Sequence, residues 1–145
     1  MDDRGQLENL MVRYTEALDA AEFDELGALF AQGQVRIEGG PHDGAAAAGE
    51  RDVAALYRRI VALDEHGRTG TRHFISNLFV LVADDAATAV ARSYFAVTQQ
   101  TPTLALQIVA CGAYRDEYRR DGAAWCFASR HIVCDQVGEL TQHMR

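Results

Sequence analysis

The chain has 145 residues, 48% of them hydrophobic and 24% charged, with a formal net charge of -7. This length suits one domain with its own core, the composition is far from that of a disordered chain, and no apolar run reaches the ~18 residues of a membrane-spanning helix. The first residues, Met1 to Arg4, lack the cationic start and apolar block of a signal peptide, so a cytoplasmic protein is expected.

The distribution of charge along the chain bears on which partners it can bind. All of the net negative charge lies before Thr71, where 14 acidic side chains face seven arginines, and the charges after that point cancel. No basic patch is present in the sequence, which argues against nucleic acid as a partner.

The three cysteines are odd in number and have no CxxC spacing, so they are expected to be buried apolar residues rather than disulfide partners or metal ligands.

The first part of the chain has helical periodicity. Apolar residues recur at steps of three and four from Leu7 to Leu18, which predicts an amphipathic helix with Tyr14 on its inward stripe. Asp19 interrupts this pattern, and a short second helix is predicted from Phe23 to Phe30. Val35 and Ile37 share one face of the segment from Gln34 to Glu38, which predicts a short strand.

A glycine-rich segment and a third helix follow this strand. The segment Gly39 to Gly49 opens with three glycines in six residues, so a mobile loop is expected there. Helical spacing of apolar residues then predicts a helix from about Glu50 to Leu63, closed by Gly67 and Gly70.

The second half of the chain alternates with a period of two residues. Four strands are predicted, with turns at Asp84-Asp85 and Asp121-Gly122: Thr71 to Ala83, Ala86 to Gln99, Leu104 to Arg119 and Ala124 to Asp135. These strands greatly exceed the usual length of about five or six residues, so the sheet must coil strongly. The sequence therefore predicts a single α+β domain, residues 1–145, in which three N-terminal helices pack on a strongly curved antiparallel sheet that forms a cone-shaped barrel around a pocket.

Both faces of the predicted sheet are apolar. On the first long strand, simple alternation assigns His73, Ile75, Asn77, Phe79 and Leu81 to one face, and Phe74, Ser76, Leu78, Val80 and Val82 to the other. Three helices can cover only one of these faces. A homo-oligomer, in the simplest case a homodimer, is therefore expected through the outer face, to which alternation also assigns Trp125 and Phe127.

Four residues are candidates for chemistry. Asp19 follows the inward stripe that contains Tyr14; it either caps the second helix or pairs with a group inside the domain. His73 opens the first long strand and is either a core histidine or a catalytic base. Arg130 lies in an otherwise apolar row of the last strand, so it is expected to pair with Asp19 or Glu38, or to face a ligand.

Nearly the whole chain resembles the SnoaL-like superfamily, which includes polyketide cyclases, scytalone dehydratase, bile-acid dehydratase and lindane dehydrochlorinase. The residues that carry the resemblance are, in chain order, Tyr14-x4-Asp19, Phe23-x2-Leu26-x2-Leu29-Phe30, Thr71-Arg72-His73-Phe74-Ile75, Gly112-x-Tyr114-x-Asp116 and Asp121-Gly122-x2-Trp125-x-Phe127-x2-Arg130. Each piece is modest alone, but their order and spacing together are fairly specific to the fold.

The resemblance implies a pocket with an Asp–His pair at its base and a hydrophobic small molecule as substrate. His73 would remove a proton from carbon, Asp19 would orient the imidazole, and Tyr14 and Arg130 would stabilise oxygen charge or steer the substrate. No metal or organic cofactor is expected. The chain departs from scytalone dehydratase, because Ala96 to Gln100 contains no second histidine and Leu18 stands where that enzyme has a tyrosine. A non-catalytic binder of hydrophobic ligands and a structural subunit of the same fold remain alternatives.

Overall fold

The computed structural model describes residues 1–145 as three helices and one six-stranded sheet. The helices are α1 (Asp3–Asp19), α2 (Phe23–Ala28) and α3 (Glu50–Ile60). The strands are β1 (Gln34–Glu38), β2 (Ala46–Ala48), β3 (Thr71–Val82), β4 (Thr88–Thr101), β5 (Leu104–Asp121) and β6 (Ala124–Val137). The predicted elements are all present, with ends that differ by a few residues.

The sheet has the order β2-β1-β6-β5-β4-β3. The strands β3 to β6 form consecutive antiparallel pairs, as predicted, but β1 pairs with β6 in parallel. The antiparallel strands predicted for the second half of the chain are confirmed, and β1, whose partner was not predicted, makes the sheet mixed. Short turns fix the direction of hairpin strands, whereas most of the chain separates β1 from β6 and leaves their relative direction to tertiary packing.

The Gly39–Gly49 segment is structured, contrary to the predicted mobile loop. Its residues Gly40–His42 form a 3-10 turn, and β2 pairs with β1. Gly39 has a φ of 79° and packs so closely on the Cys134 carbonyl that a Cβ atom would overlap it. Glycine at this position therefore allows the backbone of residue 39 to approach the backbone of Cys134 closely.

Two β-bulges change which side chains face inward. Asn77 has a φ of 53°, and the β3–β4 register shifts between Ser76 and Phe79. Beyond the bulge, Leu78 packs against the core while Phe79 is exposed, the reverse of the predicted faces. A shift in the β5–β6 register likewise places Trp125 and Phe127 in the core, so their predicted position on the outer face is wrong. A bulge adds one residue to a strand and so reverses the alternation that follows it.

The core lies between the helices and the concave side of the sheet. It contains 29 buried hydrophobic residues in one continuous cluster, which confirms the predicted α+β class with three helices packed on a curved sheet. Asp2 caps α1 by accepting a hydrogen bond from the Gly5 amide at 2.8 Å. None of the three helices combines the length and apolar content that crossing a membrane requires.

Candidate functional site

Asp19 and His73 form a hydrogen-bonded pair between the end of α1 and the start of β3. Nδ1 of His73 lies 2.6 Å from one carboxylate oxygen of Asp19. The same carboxylate accepts hydrogen bonds from the His73 amide and the Thr71 hydroxyl, both at 2.9 Å. The alternative role of Asp19 as the cap of α2 is wrong, since Glu22 occupies that position and makes no side-chain cap bond.

These contacts keep Asp19 ionised and select the tautomer of His73. Burial alone would raise the pKa of Asp19, but the hydrogen bonds from the ring and amide of His73 and from the Thr71 hydroxyl lower it below its ordinary value. An ionised carboxylate can only accept hydrogen bonds, so Nδ1 of His73 is the protonated nitrogen. The Nε2 atom then carries the lone pair and is the nitrogen left for a substrate.

The His73 ring borders a cavity of about 50 Å³ between the helices and the sheet. Apolar side chains from α1, α3 and four strands form most of its wall, and Tyr14, Tyr57 and His143 are among its polar groups. The volume accommodates water, for which about 10–15 Å³ suffices, but is well below the roughly 150 Å³ that admits benzene. The cavity is thus closed to an aromatic-sized ligand in this conformation.

Two tyrosines form a second polar group in the wall. The hydroxyls of Tyr14 on α1 and Tyr57 on α3 hydrogen-bond to each other, and neither has another partner in the protein. Burial raises the pKa of both hydroxyls, so both stay protonated at neutral pH. One hydroxyl donates to the other, which leaves one O–H for a bound ligand. Sequence reasoning assigned Tyr57 no functional role, because helical spacing made it another residue of the apolar stripe.

Arg130 lies behind the cavity rather than in its wall. Its guanidinium donates two hydrogen bonds of 2.8 Å to Asp116, and both side chains are fully buried. It also lies 4.4 Å from the centroid of the Tyr14 ring and 3.8 Å from that of the Tyr114 ring. The predicted pairing of Arg130 with Asp19 or Glu38 is therefore wrong, and its predicted contact with a ligand stays a prediction. Asp116 is directly opposite Arg130 in the β5–β6 register and neutralises the buried charge.

The electrostatics of this buried pair favour the charged form of Arg130. Burial alone would lower the pKa of Arg130, but the Asp116 carboxylate raises it well above its ordinary value. The cation therefore stays charged behind Tyr14 and Tyr114, where it contributes to the packing of both rings.

His143 is a cavity residue that sequence reasoning missed. It lies in the segment 138–145, which follows β6, and its ring centroid is 5.5 Å from that of His73. The Ala62 amide donates to the His143 carbonyl at 2.7 Å, which fastens the segment to the end of α3. No periodic pattern or motif surrounds His143 in the sequence, so only the fold could reveal its position. No group of three or more His, Cys, Asp or Glu side chains is arranged to hold a metal ion.

Comparisons with known proteins agree with this architecture. Residues 1–131 match the profile of the SnoaL-like domain. The comparison with curated proteins gives no match.

Three solved structures show the likeness of fold. An NTF2-like protein with a cystatin-like fold from Novosphingobium aromaticivorans is 25% identical, with a TM-score of 0.73 over 91% of this chain and 81% of that one. A protein from the same organism, provisionally described as a scytalone dehydratase, is 21% identical, with a TM-score of 0.71 over 94% and 87%. ActVI-ORFA from Streptomyces coelicolor is 20% identical, with a TM-score of 0.69 over 92% and 96%.

Proposed function

Because the chain belongs to the SnoaL-like domain family, we propose that it is a small-molecule lyase, cyclase or isomerase that removes a carbon-bound proton next to a carbonyl group. The observation that carries this proposal is the Asp19–His73 hydrogen bond of 2.6 Å beside a mostly apolar cavity. Imidazole has an ordinary pKa near ~6.5, which suits a general base at neutral pH. The proposed substrate is a hydrophobic, polyketide- or steroid-like carbonyl compound.

The chemistry of the pair gives each residue a role. Nε2 of His73 accepts the proton from carbon, and the electron pair of that C–H bond moves to form an enolate. Asp19 holds the Nδ1 proton and stabilises the imidazolium that results. From the enolate, a leaving group departs in a dehydration, the proton returns elsewhere in an isomerisation, or carbon attacks a second carbonyl in a cyclisation.

The tyrosine pair supplies the stabilisation of negative charge. The O–H that Tyr14 and Tyr57 leave without a protein acceptor donates to the enolate oxygen, where the low polarity of the cavity strengthens the bond. Arg130 is a positioning residue in this scheme. Its guanidinium packs against the Tyr14 ring and keeps that ring in place, and Asp116 neutralises its charge.

Substrate binding requires the cavity to enlarge. The 138–145 segment contributes Leu140, His143 and Met144 to the wall. Repacking of the Leu140 and Met144 side chains would enlarge the cavity and leave the hydrogen-bonded backbone around His143 in place. A site that closes around its substrate also excludes water from the enolate.

A second candidate is a non-catalytic role, either as a binder of a hydrophobic ligand or as a structural subunit. The small closed volume favours this alternative, since a structural subunit needs no open pocket. An Asp–His pair with an ionised carboxylate would have no purpose in such a subunit, which is the reason to prefer catalysis.

Deuterium exchange distinguishes these functions without knowledge of the substrate. The protein is incubated in D2O with small ketones, such as cyclohexanone and 2-tetralone, and loss of the proton signals next to the carbonyl is followed by NMR. A general base accelerates exchange at those carbons above the rate in buffer. A binder or structural subunit leaves the rate at the buffer value for every ketone, and that result would contradict the enzyme proposal.

A further inference from the structure

His143 is a buried polar side chain without a partner in the protein. The residue is 2% exposed, and its Nδ1 atom is buried without a hydrogen-bond partner in the protein. An unsatisfied polar group in the interior is destabilising, so leucine would suit a side chain that served only to fill space better than histidine does. The ring also borders the cavity, so a ligand there could satisfy it.

The backbone around His143 fixes the ring relative to the Asp19–His73 pair. The His143 carbonyl accepts from Ala62, and the neighbouring Gln142 carbonyl accepts from the Gln99 side chain at 2.9 Å. Met144 forms an antiparallel bridge with Val61. Backbone contacts of His143 and its neighbours therefore hold the residue in position, and contacts of its ring do not.

Burial keeps the His143 ring neutral at ordinary pH. Burial, and then the neighbouring His73, lower its pKa to about 3, while Asp19 acts weakly in the opposite direction. A neutral imidazole has one N–H donor and one acceptor nitrogen. His143 therefore differs from His73 in having no carboxylate partner for its ring.

We propose that His143 is a ligand-binding residue that holds a second oxygen function of the substrate, next to the carbon that His73 deprotonates. This inference rests on the proposed function for the role of His73. The tyrosine pair can bind only one ligand oxygen with its remaining O–H, whereas the His143 ring, 5.5 Å from that of His73, provides a separate hydrogen-bonding position. The site thus suits a ligand with oxygen on both sides of the reacting carbon.

Two five-carbon probes test this assignment because they differ by one oxygen. Acetylacetone has two carbonyl groups and 2-pentanone has one, and their affinities are measured by titration of backbone amide signals in NMR. The chain contains no lysine, so acetylacetone meets no side-chain amine with which to condense. We expect wild-type protein to bind acetylacetone more tightly than 2-pentanone.

The variant His143→Leu should weaken acetylacetone binding about tenfold, as expected for the loss of one hydrogen bond in an apolar site, and change 2-pentanone binding little. It should also unfold at the same temperature as wild type or a higher one. His143→Asn, which retains an N–H donor, should recover part of the lost affinity. His143→Phe is a second apolar variant, so the comparison does not depend on the folding of one protein.

Three results would overturn the assignment. The first is equal affinity of wild type for the two probes, and the second is unchanged acetylacetone affinity in both apolar variants. The third is an equal loss of affinity for both probes together with a lower unfolding temperature. The last result would identify His143 as a packing residue. Failure of the proposed function is separable. If wild type does not catalyse exchange but its preference for acetylacetone depends on His143, the enzyme proposal fails and this assignment stands.

Discussion

At the scale of single residues, the Asp19 carboxylate has two tasks at the site. It accepts three hydrogen bonds from β3, two of them from the backbone amide and ring of His73. The bond to the ring selects the tautomer, and the bonds to the amide and to Thr71 fix where the strand begins relative to α1. A substitution of Asp19 can therefore test its catalytic role separately from its structural role only if the new side chain has the same size.

The variant Asp19→Asn tests the first of these tasks. An amide can donate as well as accept, so it allows the tautomer in which Nε2 is protonated and cannot act as a base. We expect ketone exchange to fall on the order of a hundredfold, the scale of a positioned general base. Circular dichroism and the unfolding temperature serve as the controls for folding. Near-normal exchange in a folded Asp19→Asn protein would show that the carboxylate does not control the imidazole.

The pH dependence of stability tests the neutral state of His143. Its pKa is lowered to about 3 in the folded protein, against an ordinary value near ~6.5 in an unfolded chain. Between these values the unfolded chain binds more protons, so the free energy of unfolding falls as pH drops through this window, by up to about 1.4 kcal/mol per pH unit. Asp19, whose pKa is lowered, contributes only near and below its ordinary value of ~3.9.

Denaturant unfolding of wild type and His143→Leu, measured from neutral pH down to about pH 5, separates these contributions. The stability of wild type should fall more steeply than that of the variant as pH decreases. Parallel curves for the two proteins would mean that His143 is accessible to protons in the folded state.

Residue types and their order sufficed to predict the Asp19–His73 pair, since an acid at a helix end and a histidine at a strand start match the family pattern. The partner of Arg130 was not predictable in the same way. It depends on the β5–β6 register, which shifts at a bulge just before Arg130. Tyr57 and His143 became recognisable only when the fold brought α3 and the 138–145 segment to the same cavity.

At the scale of elements, periodicity predicted where helices and strands occur but not which faces they present. The alternation rule assumes an unbroken strand, and β3 and β6 each contain a bulge that reverses it. The bulge in β3 keeps Leu78, Val80 and Val82 against the core at the far end of the strand. Without it, the strand would bury Phe79 and Leu81 instead.

Asn77 is the residue that forms the β3 bulge, and its φ of 53° is left-handed. Asparagine and glycine tolerate this region, whereas a β-branched residue is strained there by about 1–3 kcal/mol. Asn77→Val should therefore lower the free energy of unfolding by about that amount, and Asn77→Gly, the matched control, should change it little. Urea denaturation measures both. Equal stability of the valine and glycine variants would contradict the bulge and restore simple alternation.

At the scale of the whole molecule, the convex face of the sheet carries many apolar side chains that no other element covers. Exposed side chains on this face are Phe74, Phe79, Leu81, Val90, Tyr94, Leu106 and Ile108. Contiguous exposed apolar surface of this kind marks interaction sites in soluble proteins. The expected homo-oligomer therefore uses these residues, in place of Trp125 and Phe127, which lie in the core.

Sedimentation at micromolar concentration tests this assembly. We expect wild type to sediment as a dimer or larger homo-oligomer, and Tyr94→Arg to shift it toward the monomer by placing a charge in the apolar contact. Val12→Arg, at an exposed apolar position on α1, is the matched control and should not change the assembly. A monomeric wild type would leave the convex face without a partner copy and contradict the prediction.

Catalysis by His73 is the central claim, and the rate of deuterium incorporation next to the carbonyl of 2-tetralone tests it most directly. Wild type is compared with His73→Gln and with His66→Gln, which changes a solvent-exposed histidine outside the cavity. We expect His73→Gln to lose on the order of a hundredfold in rate while it remains folded, and His66→Gln to match wild type. Exchange by folded His73→Gln at close to the wild-type rate would show that His73 is a core residue and not the base.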